Sequence, residues 1–225
     1  MSKLSIEDYR DTVLNCKTCR GCVGIVNTPR FGTGCRVEAD LMIVGQNPPV
    51  DPVRGLHGAF LLHYKDESIR GPHEKLVHDL VSSLGLTTKQ VWATQATKCP
   101  TVANTPVPLY VAKCCAGSFL EQEIRDVNPK VIICFGQQVE RVVGDLFRYS
   151  IGERPERYDQ SYPVITNGDT PLKLVRRSGS IIAVPHPSTV GRFVNRQSWI
   201  DSIRDSYLDA MRFRRAETTI EGGGL

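Results

Sequence analysis

Four short apolar runs punctuate the chain: Ala39-Asp40-Leu41-Met42-Ile43-Val44-Gly45, Val91 to Ala96, Val131 to Phe135 and Ile181 to Val184. Their apolar residues are consecutive rather than alternating, the pattern of strands buried on both faces. Between them the spacing turns helical. Leu76, Val77, Leu80, Val81 and Leu84 recur on one helix face before Gly85, and Val111, Cys115, Phe119 and Ile124 recur within 109–127. Further helices are predicted over 5–15, 137–147 and 197–213, and a short strand near Val164-Ile165. Strands that alternate with helices form a parallel sheet covered on both faces.

A chain of 225 residues with no internal repeat and no linker-like composition reads as one domain over 1–215, followed by a frayed tail over 216–225 that ends Glu-Gly-Gly-Gly-Leu. The net charge of +4 and pI of about 8.6 permit a polyanionic partner without demanding one. The N-terminus MSKLSIEDYR is polar and no apolar run reaches membrane-spanning length, so an intracellular, cytoplasmic monomer is expected. In a reducing compartment eight cysteines are not a disulfide framework; metal ligation or burial is the alternative.

Two features carry chemistry. The first strand leaves the sheet through Gly45-Gln46-Asn47-Pro48-Pro49, a glycine that permits close approach, two carboxamides and two stiffening prolines. Such a segment sits at the carboxyl end of a strand, where open α/β sheets place ligands. A long loop, 46–71, follows. Second, Cys16-x-x-Cys19 is joined far downstream by Cys99 and Cys115. Two pairs of thiolates suit zinc or an iron–sulfur cluster. Cys22 forms a second CxxC with Cys19 and competes with Cys16, and Cys115 is also in phase to be core. Cys134, mid-strand, reads as a core thiol.

Taken in order, these segments resemble the uracil-DNA glycosylase superfamily, above all its family 4 enzymes with a four-iron cluster. The matching stretches are Cys16-x-x-Cys19, residues 39–45, Gly58-Ala59-Phe60, Ala93-Thr94-Gln95 before Lys98-Cys99-Pro100, Asn104-x-Pro106, Cys115 with Phe119-Leu120 and Glu123-Ile124, Pro129-Lys130-Val131-Ile132 through Gly136, and Pro185-His186-Pro187-Ser188. The resemblance implies a three-layer α/β/α fold with a central, mainly parallel, four-stranded sheet. It implies a 4Fe-4S cluster on Cys16, Cys19, Cys99 and Cys115, with zinc as the alternative. It implies DNA, single- or double-stranded with a damaged or modified base, as partner. It also implies removal of a flipped base, with no lysine in the matched motifs to form a Schiff base, so the enzyme would be monofunctional and leave an abasic site.

Residue by residue, the resemblance makes His186 the donor to the departing base and Phe60 the surface on which that base stacks. Gly45 admits the base, Gln46 lines its pocket, Asn47 positions the attacking water and Gln95 reads the base edge. Phe193 is a wedge into DNA, flanked by phosphate contacts Arg192 and Arg196; Arg176, Arg177 and Lys98 are weaker phosphate candidates. Two positions depart from the family 4 pattern. Gln46-Asn47 stands where Glu-Ala is usual, closer to the mismatch-specific, thymine-DNA and family 1 branches, and Gln95 stands where Asn is usual. These departures support an alternative, a glycosylase-like module that binds or crosslinks damaged bases without turnover. His57, His63 and His73 fit no metal motif and are read as exposed loop residues.

Overall fold

The computed structural model describes residues 6–19, 22, 24–26, 28–34, 39–48, 71–102, 105–148, 160–165, 171–178 and 180–221. Among the described residues seven strands make one sheet: β1 (Thr33–Gly34), β2 (Leu41–Gly45), β3 (Val91–Gln95), β4 (Val131–Phe135), β5 (Gln160–Ile165), β6 (Pro171–Ser178) and β7 (Ile181–Val184). Their order is β1-β3-β2-β4-β7-β6-β5. The four apolar runs, β3-β2-β4-β7, pair in parallel at the centre, and the short strand expected near Val164-Ile165 is the end of β5. The expected four-stranded sheet is thus the middle of a wider one. β1 adds antiparallel to β3, and β6 and β5 add antiparallel beyond β7. The last two strands run through residues whose sequence is polar and proline-containing. Strands at the margin of a sheet, β5 at its edge and β6 one in from it, need bury only part of their surface and so lack the apolar run that marks the centre.

Every residue of β2, β3, β4 and β7 is buried. Period-two alternation then splits them between two cores. Leu41, Ile43, Val91, Ile133 and Ile182 face one layer, with α2 (Pro72–Ser83) and α6 (Arg196–Glu221). Met42, Val44, Trp92, Ile132 and Cys134 face the other, with α3 (Leu109–Cys115), α4 (Glu121–Val127) and α5 (Gln137–Leu146). This is the three-layer α/β/α arrangement. Cys134 is wholly buried, and burial raises its thiol pKa, as a core thiol requires.

Between α3 and α4 the backbone widens into a π-helical turn, Ala116–Leu120, directly after Cys115. The helix α1 (Ile6–Leu14) packs Tyr9 and Val13 against Cys115 and Phe119, which anchors the N-terminal segment to this layer. α6 runs past its expected end near 213 to Glu221, into the segment read as a frayed tail. No glycine or proline interrupts 213–221, and a helix already begun gains one hydrogen bond per added residue until Gly222. Among the described residues no helix is long and apolar enough to cross a membrane.

Candidate active site

The strand order reverses about β2. The chain passes from β2 to β3 on one side, then crosses to β4 on the other. A crevice opens at the carboxyl ends of strands on either side of such a reversal. Gly45-Gln46-Asn47 leaves β2 there, Gln95 ends β3, Gly136 follows β4, and His186 lies just beyond β7. The structure therefore brings Gly45, Gln46, Asn47, Gln95 and His186 to one edge of the sheet. Phe60, Asn104, His57, His63 and most of the 46–71 loop lie outside the described residues.

Gly45 has a different reason to be glycine than the sequence suggests. A Cβ built on it would collide with the Gln95 carboxamide, meeting Oε1 head-on and lying 2.9 Å from Cδ. Gly45 and Gln95 are register partners in the parallel ladder, and the Gln95 amide folds over the bare Cα. The extra methylene that distinguishes glutamine from asparagine is accommodated by this close approach. The chain stays paired past the strand ends, Ala96 N donating to Gly45 O at 2.8 Å and Thr97 N to Gln46 O at 2.9 Å.

Two hydrogen-bond relays orient the amides. The Gln138 Nε2 donates to the Val107 carbonyl at 2.6 Å, and a carbonyl can only accept. Gln138 Oε1 must then accept, and it does so from Gln46 Nε2. Likewise Asn47 Nδ2 donates to Pro48 O at 3.2 Å and to Thr101 Oγ1 at 3.4 Å, while Thr101 gives its own proton to Thr105 O at 2.8 Å. Both amides spend N–H groups on protein acceptors, which leaves Gln46 Oε1 and Asn47 Oδ1 as the acceptors available to anything in the crevice. Gln138 and Thr101 were not legible as site residues. Their only sequence signal is proximity to a strand end or to the cysteine loop.

His186 caps a short 3-10 turn, Pro187–Thr189. Its Nδ1 accepts from Ser188 N at 3.2 Å and contacts Ser188 Oγ at 2.8 Å. The neutral ring therefore carries its proton on Nε2. Burial, and then the neighbouring His73, hold its pKa below the ordinary histidine value of 6.5. His73 corrects the sequence expectation of a bystander. It is exposed, but it stands in the first turn of α2 with its ring edge-on to His186, centroids 6.2 Å apart at 85°.

After the 3-10 turn the chain closes a tight loop. Val190 bridges Val194, Gly191 adopts φ +82°, and Gly191 N donates to Val194 O at 2.9 Å. Val194 is buried while Phe193 projects outward, 70% exposed. Asn195 Oδ1 accepts from Ser198 N at 3.0 Å and caps α6. Arg192 and Arg196 are exposed, Arg196 in an ion pair with Asp79. Arg177 is buried and Arg176 pairs with Glu140 at 2.5 Å, so neither is displayed as a phosphate contact. Lys98 is also buried, and binds Glu123 at 2.7 Å.

The cysteines gather where two backbone segments are zipped together. Val26 N donates to Pro100 O at 2.9 Å, Arg30 N to Lys98 O at 2.7 Å and Val102 N to Gly24 O at 2.9 Å. Cys99 and Cys115 are buried, and Cys16 and Cys19 partly so. Burial, then the nearness of Cys115 and other thiols, pushes Cys19 up to about 11; burial, then Cys115, Cys19 and Cys16, pushes Cys99 up to about 12. Burial dominates at Cys115 too, although Lys98 N donates to its Sγ at 3.3 Å. Soft donors close enough to repel one another as thiolates, two of them buried, fit a multiply charged cationic group. Among the described residues no three His, Cys, Asp or Glu side chains are gathered as a ready site for a single metal ion.

The family model for the uracil DNA glycosylase superfamily matches residues 31–205. The chain belongs to that superfamily. It is 26% identical over 190 residues, 82% of this chain and 84% of the relative, to the type-4 uracil-DNA glycosylase of Archaeoglobus fulgidus.

Gly45→Ala is expected to lower the melting temperature, and Gly45→Ala/Gln95→Ala to recover most of the loss because the colliding amide is gone. Calorimetry on the single and double variants reads the coupling. Equal losses in both would contradict the packing of Gln95 on Gly45.

Proposed function

We propose that this DNA glycosylase hydrolyses the bond between deoxyribose and uracil, or a closely related deaminated or modified base, flipped out of DNA. The observation that carries the reading is the pair of oriented groups at the strand ends. Asn47 has its Oδ1 left to accept, and His186 is neutral with its proton on Nε2. Flipping exposes the base at a cost of a few kcal/mol. As the glycosidic bond breaks, negative charge grows on the base and positive charge on the sugar. The His186 Nε2–H donates to the departing base, and Asn47 Oδ1 accepts from a water held against the sugar carbon. Asn47 is a weak base, so its contribution is position rather than proton removal. Gln95 reads the base edge from over Gly45, and Gln46 offers an acceptor beside it.

The glycosylase is monofunctional in this reading. Lys98, the lysine of the matched Lys98-Cys99-Pro100 stretch, is buried and has all its donors engaged, so it is withheld from a Schiff base. Phe193 fills the gap left in the duplex, Arg192 and Arg196 take phosphates, and Phe60 stacks on the base. The Arg196–Asp79 pair is exposed and exchanges at little cost. Cys16, Cys19, Cys99 and Cys115 would hold a 4Fe-4S cluster. Bound there, it staples the N-terminal segment to the 98–102 segment and takes no part in bond cleavage. The protein acts as a monomer with one domain over 1–215.

The test is a gel assay on oligonucleotides bearing uracil, hypoxanthine, xanthine, thymine mismatches or 5-substituted pyrimidines, with alkali to reveal abasic sites. Cleavage at uracil or a close analogue is expected. Tight binding without cleavage of any base would favour the non-catalytic module instead. His186→Ala and Asn47→Ala should each slow excision about 10²–10³-fold, and unchanged rates would overturn the site.

The pH dependence follows in sign. His186 has a folded pKa below its unfolded one, so the neutral ring and its stabilising hydrogen bonds are intact above 6.5 and are lost as pH falls through the lower folded value. The single-turnover rate should therefore be flat from pH 6.5 upward and drop on its acid side. A rate that rises on acidification through 6.5 would contradict it. Finally, Cys99→Ser should bleach the visible absorbance of the purified protein and lower its melting temperature. Full iron retention would exclude this ligand set.

A further inference from the structure

The residue that the sequence offers as a phosphate contact, Lys98, sits at 1% side-chain exposure opposite Glu123 at 0%. Its ammonium donates to Glu123 Oε2 at 2.7 Å, Thr94 Oγ1 at 2.7 Å and Gln95 O at 2.9 Å. That uses all three of its donors. Glu123 is equally satisfied, since Oε1 accepts from Tyr9 OH at 2.5 Å and Oε2 from Thr94 Oγ1 at 2.9 Å. Every group of this network lies in the interior.

A buried ion pair is a poor device for stability. The desolvation of two charges offsets most of their attraction, and apolar residues of similar size often do as well. What the ammonium adds is direction. Gln95 is the last residue of β3, and Lys98 Nζ returns to its carbonyl across the turn 95–98. That bond fixes the backbone of the residue whose side chain folds over Gly45. The main chain of Lys98 is meanwhile held by the cysteine segment, through its N–H to Cys115 Sγ at 3.3 Å, and by the N-terminal segment, through its carbonyl from Arg30 N at 2.7 Å. One residue thus joins the strand end that carries Gln95, helices α1 and α4, and the cysteine site.

We propose that Lys98, held by Glu123, is a positioning residue that sets base discrimination by fixing Gln95 over Gly45. The proposal rests on the reading of Gln95 as the residue that faces the base edge. A methionine could fill the space of the lysine stem, but it cannot donate to the Gln95 carbonyl.

The experiment compares Gln95→Ala, Glu123→Gln, the paired replacement Lys98→Met/Glu123→Leu, and that pair combined with Gln95→Ala. Each full-length protein is assayed for its single-turnover rate on uracil over its rate on thymine opposite guanine, with the melting temperature measured alongside. The paired replacement leaves no buried charge unpaired but takes the acceptor from the buried Tyr9 hydroxyl, so it should fold with a melting temperature below the wild type. Its uracil-over-thymine ratio should still fall about tenfold, as for Gln95→Ala, the range for loss of one specific base contact. Adding Gln95→Ala to the pair should change the ratio little further. If the paired replacement does not fold, Glu123→Gln, which keeps shape and most hydrogen bonds, must show a smaller fall in the same direction.

A wild-type ratio in the paired replacement or in a folded Glu123→Gln, or a full further loss on adding Gln95→Ala, would overturn the positioning role. A ratio unmoved by Gln95→Ala alone would instead overturn the reading of Gln95, and the positioning role with it. Should the wild type cleave neither base, the same ratios are read from binding of uncleavable 2′-fluoro oligonucleotides.

Discussion

The reversal of strand order at β2 is the constraint on which the site depends. β2 has parallel neighbours on both sides, so its residues are buried on both faces and its carboxyl end has nowhere to go but into the crevice between diverging connections. Gly45-Gln46-Asn47 is the piece of chain that occupies that position. Its neighbours are dictated by register: Gln95 across the ladder on one side, and on the other the α5 start with Gln138. Nothing in this arrangement requires a special loop. It requires only that four parallel strands stop at the same level.

A second organising element is electrostatic. Lys98 and Glu123 bring the end of β3, the N-terminal helix and the cysteine segments to one buried point. The backbone bonds between 24–30 and 98–102 add a ladder of their own. The cysteine site and the crevice are therefore not separate modules. Asn47 itself is held by Thr101, two residues beyond Cys99, so disturbance at the cysteines reaches the Asn47 amide through a single hydrogen bond.

How much was legible depended on what each residue must do locally. The central strands announced themselves because double-sided burial demands uninterrupted apolar residues. The position of His186 just beyond β7 was legible because Pro185 and Pro187 end such a strand on either side of it. Beyond β7, β5 was legible only at its Val164-Ile165 end and β6 not at all, since strands at the margin of a sheet need no uninterrupted apolar run and tolerate Pro163, Lys173 and Arg176. Lys98 was misread because a lysine beside a loop is ordinarily solvated; only tertiary packing reveals Glu123 25 residues on. Gln138, Thr101 and His73 act through contacts between elements remote in sequence, and nothing in their local pattern distinguishes them. At Gly45 the close approach that the sequence suggested is made by the Gln95 amide, a neighbour no local pattern reveals.

The most direct test of the account is a crystal structure of the protein soaked with free uracil, the product of the proposed reaction. The base should lie at the carboxyl ends of β2, β3 and β7, with His186 Nε2 donating to one of its carbonyl oxygens and the Gln95 amide on its edge over Gly45. Uracil bound elsewhere, or an empty crevice with His186 donating from Nδ1 instead, would contradict the assignment of this crevice as the place where the base leaves.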